Sequence, residues 1–130
     1  MRWVAYHTLF FADLYLSKNE DAFVLRELHR AGGDERGEEA APGLSREETL
    51  AYVRIVRTKV GDSLAGETEE TLRGPSGFSW RKCTRAEMHI YNIRHIQHHA
   101  GQMSAYLRRV DPELKGPRVE ALRWVGQGWR

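Results

Sequence analysis

Four histidines, His89, His95, His98 and His99, fall close together in a chain of 130 residues that holds 6 in all. Histidine is the commonest metal ligand and the usual general base near neutral pH. His95 and His99 stand four residues apart, which on an α-helix sets them about 6 Å apart along one face. Two imidazoles at that spacing can share one divalent ion, as in a helical H-x-x-x-H pattern. The competing reading is a pair of core histidines satisfied by hydrogen bonds. Either way a buried imidazole needs partners, and burial disfavours its protonation.

The wheel separates the cluster. With His95 as origin, Met88, Asn92, His99, Gln102 and Tyr106 lie within about 60° of it, in the four-three spacing of a helix-bundle seam. Ile93, Ile96, Ala100, Met103 and Leu107 form an adjoining apolar face, and Arg94, Gln97, Gly101, Ser104 and Arg108 a wet one. His98 falls at the border of the wet face, so His95 and His99 are expected to point inward and His98 not. A third ligand must come from another helix, and His7, with Trp3, Phe10, Phe11 and Leu14 on its side of the wheel, is the natural candidate. His29 and His89 read as structural or surface residues. Cys83, just before a helix start, reads as a small apolar residue or as an activated thiol.

These side chains need helices to carry them. Trp3–Ser17 holds no Gly or Pro and is apolar on nearly every side, the pattern of a buried helix. It starts abruptly, without a capping residue, as if an earlier element were absent. Asn19–Arg30 reads as a short helix with Phe23, Leu25 and Leu28. Residues 31–43 read as a mobile loop, Gly-rich and charged. Ser45-Arg46-Glu47-Glu48 is a capping box that opens a helix to about Leu64. Gly74-Pro75-Ser76-Gly77 breaks the chain, and Phe78, Trp80 and Cys83 form an apolar connector. Thr84-Arg85-Ala86-Glu87 is a second capping box, opening the longest helix, which Asp111-Pro112 ends near Val110. A short helix is expected after Pro117. No segment alternates at period two, so the chain reads as all-α, one domain over residues 1–130.

Two stretches resemble a known family. Trp3 to Leu16, with His7 at its centre, is similar to the first histidine helix of DinB-like proteins. Tyr91-Asn92-Ile93-Arg94-His95-Ile96-Gln97-His98-His99-Ala100-Gly101-Gln102 is similar to that family's second motif, H-x-x-x-H with a following Gln. The resemblance runs from Trp3 to about Arg109. It implies a four-helix bundle, here lacking the usual first helix, with His7, His95 and His99 as ligands of a divalent metal. Relatives of known chemistry are mainly thiol-dependent transferases and isomerases, so a small-molecule thiol is an expected partner. Three neutral histidines leave coordination positions open, the catalytic arrangement. Zn, Ni, Fe and Cu all suit three imidazoles. Tyr6, Asn92, Gln102 and Tyr106 are candidates for supporting or substrate-facing roles. A binding protein without turnover and a purely structural helical module are the alternatives.

The remaining expectations come from composition. The 20 basic and 18 acidic side chains are interleaved and leave +2, which gives no reason to expect nucleic acid. No apolar run approaches a membrane span, and no secretory signal is evident. A lone cysteine excludes an intrachain disulfide, and a reducing, cytoplasmic setting fits. An apolar first helix without a preceding partner suggests an exposed interface and hence a homodimer.

Overall fold

In this computed structural model residues 1–29 and 43–111 are described, and they form four helices and no strand. These are α1 (Arg2–Leu16), α2 (Arg46–Ala65), α3 (Glu69–Arg73) and α4 (Arg85–Val110). Both expected capping boxes are made. Ser45 Oγ accepts from the Glu48 amide at 3.1 Å while the Glu48 carboxylate accepts from the Ser45 amide at 2.7 Å. Thr84 and Glu87 repeat the arrangement at 3.2 and 2.8 Å. Each box satisfies two amides that a helix start leaves without partners. A third box, Thr68 with Thr71, opens the five-residue α3. It has no apolar stripe to announce it.

Helix α1 is the centre of the fold, with α2 and α4 packed on it. Its contacts with α2 advance together along both chains. Tyr6 meets Tyr52, Lys59 Nζ donates to the carbonyl of Asp13 at 2.7 Å, and Ser63 Oγ donates to that of Leu16 at 3.2 Å. The two helices are therefore parallel. Gly43 lies so close to Arg2 and Trp3 that a Cβ there would collide with their backbone, which brings the start of α2 onto the start of α1. Contacts with α4 run the other way. Arg85 reaches the last carbonyls of α1, Asn92 donates to Ala12 at 3.2 Å, and His95 meets His7.

Two apolar clusters follow from this. Tyr6, Ala12, Leu16, Leu44, Tyr52 and Val56 fill the α1–α2 side. Tyr15, Phe78 and Met88 fill the other, with Phe11, Leu14, Cys83 and Tyr91 packed against them. The connector that supplies Phe78 turns at Gly77, whose φ of 87° lies in the left-handed region, where a side chain would also collide with the carbonyl of Lys18.

Asn19–Arg30 departs from expectation. Its described part, to His29, is turns and extended backbone rather than a helix. It is held by side chains instead. The Asn19 side chain accepts from the Ala22 amide, and His29 Nδ1 accepts from the Arg26 amide, both at 2.8 Å. Such local bonds compete with helix formation. Residues 31–42 of the expected loop and the helix after Pro117 lie outside the described residues.

The apolar face of α4 is largely exposed among the described residues. Ile93, Ile96 and Leu107 are 57%, 37% and 43% exposed. On α2, Leu50, Val53 and Leu64 are likewise exposed. Both stripes follow the spacing of a bundle seam, which the described residues do not cover. Helix α1 itself is enclosed between α2 and α4.

Candidate metal centre

His7 lies midway along α1, and His95 and His99 lie one turn apart on α4, on the faces where these antiparallel helices meet. His7 and His99 are 7% and 2% exposed. The three form a group that could hold a metal ion, their ligand atoms within 4.8 Å of one another. His95 Nε2 lies 3.4 Å from His7 Nε2 and 3.0 Å from His99 Nε2. At a bond length of about 2.1 Å, two ligands of a tetrahedral ion stand about 3.4 Å apart, and two adjacent ligands of an octahedral one about 3.0 Å. These two separations suit pairs of nitrogens that share one ion, and ligand atoms of all three rings lie within 4.8 Å of one another. The donor set fits a divalent transition metal held by neutral imidazoles.

Gln102 sets the form of one ligand. His99 Nδ1 lies 2.7 Å from Gln102 Oε1. An amide oxygen only accepts, so Nδ1 carries the proton and Nε2 presents its lone pair towards the other two rings. Such a second partner fixes tautomer and ring orientation. Replacing Gln102 by Leu should therefore weaken metal binding by about 10- to 100-fold, measured by competition with a chelator, while leaving the helix content unchanged.

Aromatic rings wall the cluster. Trp3 stacks on His7 at 4.8 Å between centroids, Phe11 packs against both His7 and His95 at 4.6 and 5.6 Å, and Tyr15 lies 5.8 Å from His95. Trp3 and Phe11 sit one turn either side of His7, so their place was legible in the α1 wheel. Tyr15 and its neighbour Tyr91 were not singled out, because their proximity to His95 depends on how α1 and α4 cross.

The other candidates separate cleanly. His98 is exposed and meets the cluster only edge-on, through the His99 ring. Asn92 is buried and ties α4 to α1 one turn before His95. Tyr6 is fully buried in the α1–α2 core against Tyr52 and Phe10, away from the histidines. The Tyr106 ring carries Arg109. His89 Nε2 pairs with Glu67 at 2.9 Å, and His29 Nε2 with the Tyr52 hydroxyl at 2.7 Å; both are structural. Burial lowers the pKa of His29 against the pull of Asp13, which favours the neutral ring. Cys83 packs in the Phe78–Met88 cluster rather than with the three histidines.

A second polar cluster was missed. Asp13 is fully buried. It accepts from Lys59 Nζ and, at 3.1 Å, from the Tyr52 hydroxyl, with Arg26 Nε at 3.5 Å. Burial, then Asp13, pushes the Tyr52 hydroxyl far above its ordinary range, so Tyr52 stays a donor. This network joins α1, α2 and the segment after α1. A lone Asp in an apolar helix was its sequence signal.

No helix among the described residues is long and apolar enough to cross a membrane. Neither the search of curated proteins nor that of solved structures finds a match. The family comparison does: the model described as DinB superfamily matches residues 1–103, a span that holds α1, all three capping boxes and all three clustered histidines, and the chain belongs to that superfamily.

Proposed function

We propose that this protein is a metal-dependent enzyme in which His7, His95 and His99 hold one divalent ion and a small thiol supplies the nucleophile. The grouping of one ligand atom from each of the three histidines within 4.8 Å carries the reading. When bound, such an ion acts as a Lewis acid that favours the deprotonated form of a thiol or water on an open position. The chain's own residues hold and orient. Gln102 keeps His99 in the ligating tautomer, and Trp3, Phe11 and Tyr15 exclude water from the flanks of His7 and His95.

The choice of thiol rests on what surrounds the cluster. Cys83 packs in the Phe78–Met88 cluster, and the side chains against the three rings include Trp3, Phe11 and Tyr15. An attacking group would then come from a cosubstrate, as in the thiol-dependent relatives of this family. A cytoplasmic setting, where small thiols are abundant and Cys83 stays reduced, belongs to the same reading. Zn, Ni and Fe all remain candidates for the ion. The test is calorimetric titration of 2-mercaptoethanol into Zn-loaded protein, in buffers of different ionisation heat. The expected result is binding that releases a proton, strengthens with rising pH and disappears when the metal is stripped. Equal binding to stripped protein removes the transferase reading and leaves a metal-binding protein without turnover.

A homodimer is part of the proposal, supported by the uncovered stripes of α2 and α4 rather than by α1. Light scattering at micromolar concentration should give twice the chain mass, and Ile96→Glu should shift it to one chain. A monomeric wild-type protein would rule the dimer out.

A further inference from the structure

Asp13 turns from α1 towards α2, while His7 turns towards α4. The side of α1 away from the three histidines thus carries a charged cluster that the metal reading does not use. Asp13 is fully buried, and two cations stand against its carboxylate: Lys59 and, with its Nε at 3.5 Å, Arg26. His29 faces it too, but burial favours the neutral ring. One carboxylate therefore balances only one of the two cations. Lys59 is fully engaged. Its Nζ donates to the Asp13 carboxylate, to the Asp13 carbonyl at 2.7 Å and to the Ser17 hydroxyl at 2.8 Å, which uses every donor an ammonium has. Arg26 is not. Its Nε is buried without a hydrogen bond, and its side chain is 35% exposed.

Arg26 and Lys59 line a cavity of about 500 Å³ together with Arg54, Ile55, Thr58 and Asp62. Such a volume accommodates a small ligand. The helical repeat explains the α2 wall. Arg54, Thr58 and Asp62 stand four residues apart in one column, with Ile55 and Lys59 in the next. Arg54 is exposed, and among the described residues neither its guanidinium nor the Thr58 hydroxyl has a hydrogen-bond partner. Asp62 is the only carboxylate among the lining residues, and it stands two turns along the column from Arg54. Donors thus come from two elements, α2 and the segment after α1. A single guanidinium fork satisfies a carboxylate, whereas a phosphoryl group offers three strong acceptor oxygens to donors from several directions.

We propose that this cavity binds the phosphoryl group of a small phosphomonoester, held between the guanidiniums of Arg26 and Arg54 with the Thr58 hydroxyl as a further donor. Lys59 contributes charge rather than a hydrogen bond. The anion supplies the negative charge that Asp13 alone does not, and it ties the segment after α1 to α2. Asp62 opposes the anion and sets the end of the cavity that the phosphoryl group avoids. The site stands on these residues alone and is independent of the three-histidine centre, from which α1 separates it.

The experiment titrates glycerol 3-phosphate, inorganic phosphate and glycerate into the full chain at constant ionic strength, Zn-loaded and chelator-stripped, and follows heat and the unfolding midpoint. Both phosphates are expected to bind once per chain with equal affinity in loaded and stripped protein, to raise the midpoint, and to bind at least about tenfold more tightly than glycerate. Arg54→Gln and Arg26→Gln should each weaken glycerol 3-phosphate about tenfold, since each removes a charged donor. Arg54 is exposed, so its variant folds even where loss of Arg26 disturbs the partners of Asp13. Arg57→Gln, one turn from Arg54 on α2 but not among the lining residues, should leave binding within about twofold. Asp62→Asn should tighten it about threefold by removing the opposing charge. Absence of saturable binding overturns the proposal. So does an Arg57→Gln effect as large as that of Arg54→Gln, which would show attraction to surface charge at large. Glycerate binding as tightly as glycerol 3-phosphate, or Asp62→Asn weakening the phosphate, overturns it as well. Phosphate binding that vanishes on stripping and ignores Arg54 places the anion on the metal, refuting this site while the metal centre stands. Arg54-dependent binding in a protein that takes up no metal supports this site and refutes the centre.

Discussion

Replacing His7, His95 or His99 by Ala should each take bound metal from about one ion per chain to near none, measured by elemental analysis of the purified protein, whereas His98→Ala should leave it in place. The four substitutions remove the same chemical group from two neighbouring helices, so composition cannot explain a difference between them. Geometry can. His95 Nε2 lies 3.4 Å from His7 Nε2 across the α1–α4 contact and 3.0 Å from His99 Nε2 on its own helix. His98 lies outside, in water. A two-histidine remnant loses the third bond and the enclosure that excludes water. The capping boxes and the α1–α2 core cluster lie apart from the ion and hold the bundle without it. The variants should therefore keep wild-type helicity. The wild type alone should gain stability on loading, by about 2.7 kcal/mol at a free metal concentration a hundred times Kd. Ligation needs unprotonated rings, so the gain should fade in acid. Metal retained in His95→Ala and lost in His98→Ala would refute the assignment.

Much of this was legible in the sequence, for local reasons. A capping box is set by two residues three apart, and both expected boxes formed. The inward turn of His95 and His99 and the outward turn of His98 follow from the 100° step of a helix, which tertiary packing does not alter. What was illegible depended on relations between helices. The parallel run of α1 and α2 needs the long connection through residues 17–45, whose described turns, up to His29, are held by the side chains of Asn19 and His29 rather than by any repeating pattern. Glu67 and Arg85 look like ordinary surface charges in sequence, and their burial appears only once α3, α4 and the end of α1 converge. The apolar stripe of α4 was read correctly as a stripe. Apolar periodicity says that a face wants cover, not which element covers it.

Arg85 is where the fold should be most sensitive away from the metal. It is 6% exposed and stands in the first turn of α4, facing the last turn of α1. Its Nη1 donates to the carbonyls of Tyr15 and Ser17 at 3.1 and 2.8 Å, and its Nη2 to that of Leu16 at 3.0 Å. These are carbonyls that a helix end leaves without intrahelical partners, at the negative end of its dipole. Nε donates to Glu67 at 2.8 Å, so the cation is paired as well as bonded. Burial alone would raise the pKa of Glu67. The bonds from Arg85, His89 and Thr71 outweigh it and hold the carboxyl at about 2, against an ordinary 4.5. The folded state thus binds this proton less readily than the unfolded chain. The stabilisation is complete above about pH 4.5 and is lost as pH falls through about 2. Arg85→Met keeps the stem but takes a donor from three carbonyls and the paired cation from Glu67, at an expected cost of about 3 to 5 kcal/mol. Glu67→Gln should cost about 2 kcal/mol at pH 7 and flatten the acid slope. Chemical denaturation at pH 7 and pH 3.5 measures both. Arg85 stands ten residues before His95, about 15 Å along the helix, so Arg85→Met should still bind one metal per chain below its unfolding midpoint. Loss of metal without loss of stability would show that Arg85 acts on the site itself rather than on the helix that carries it.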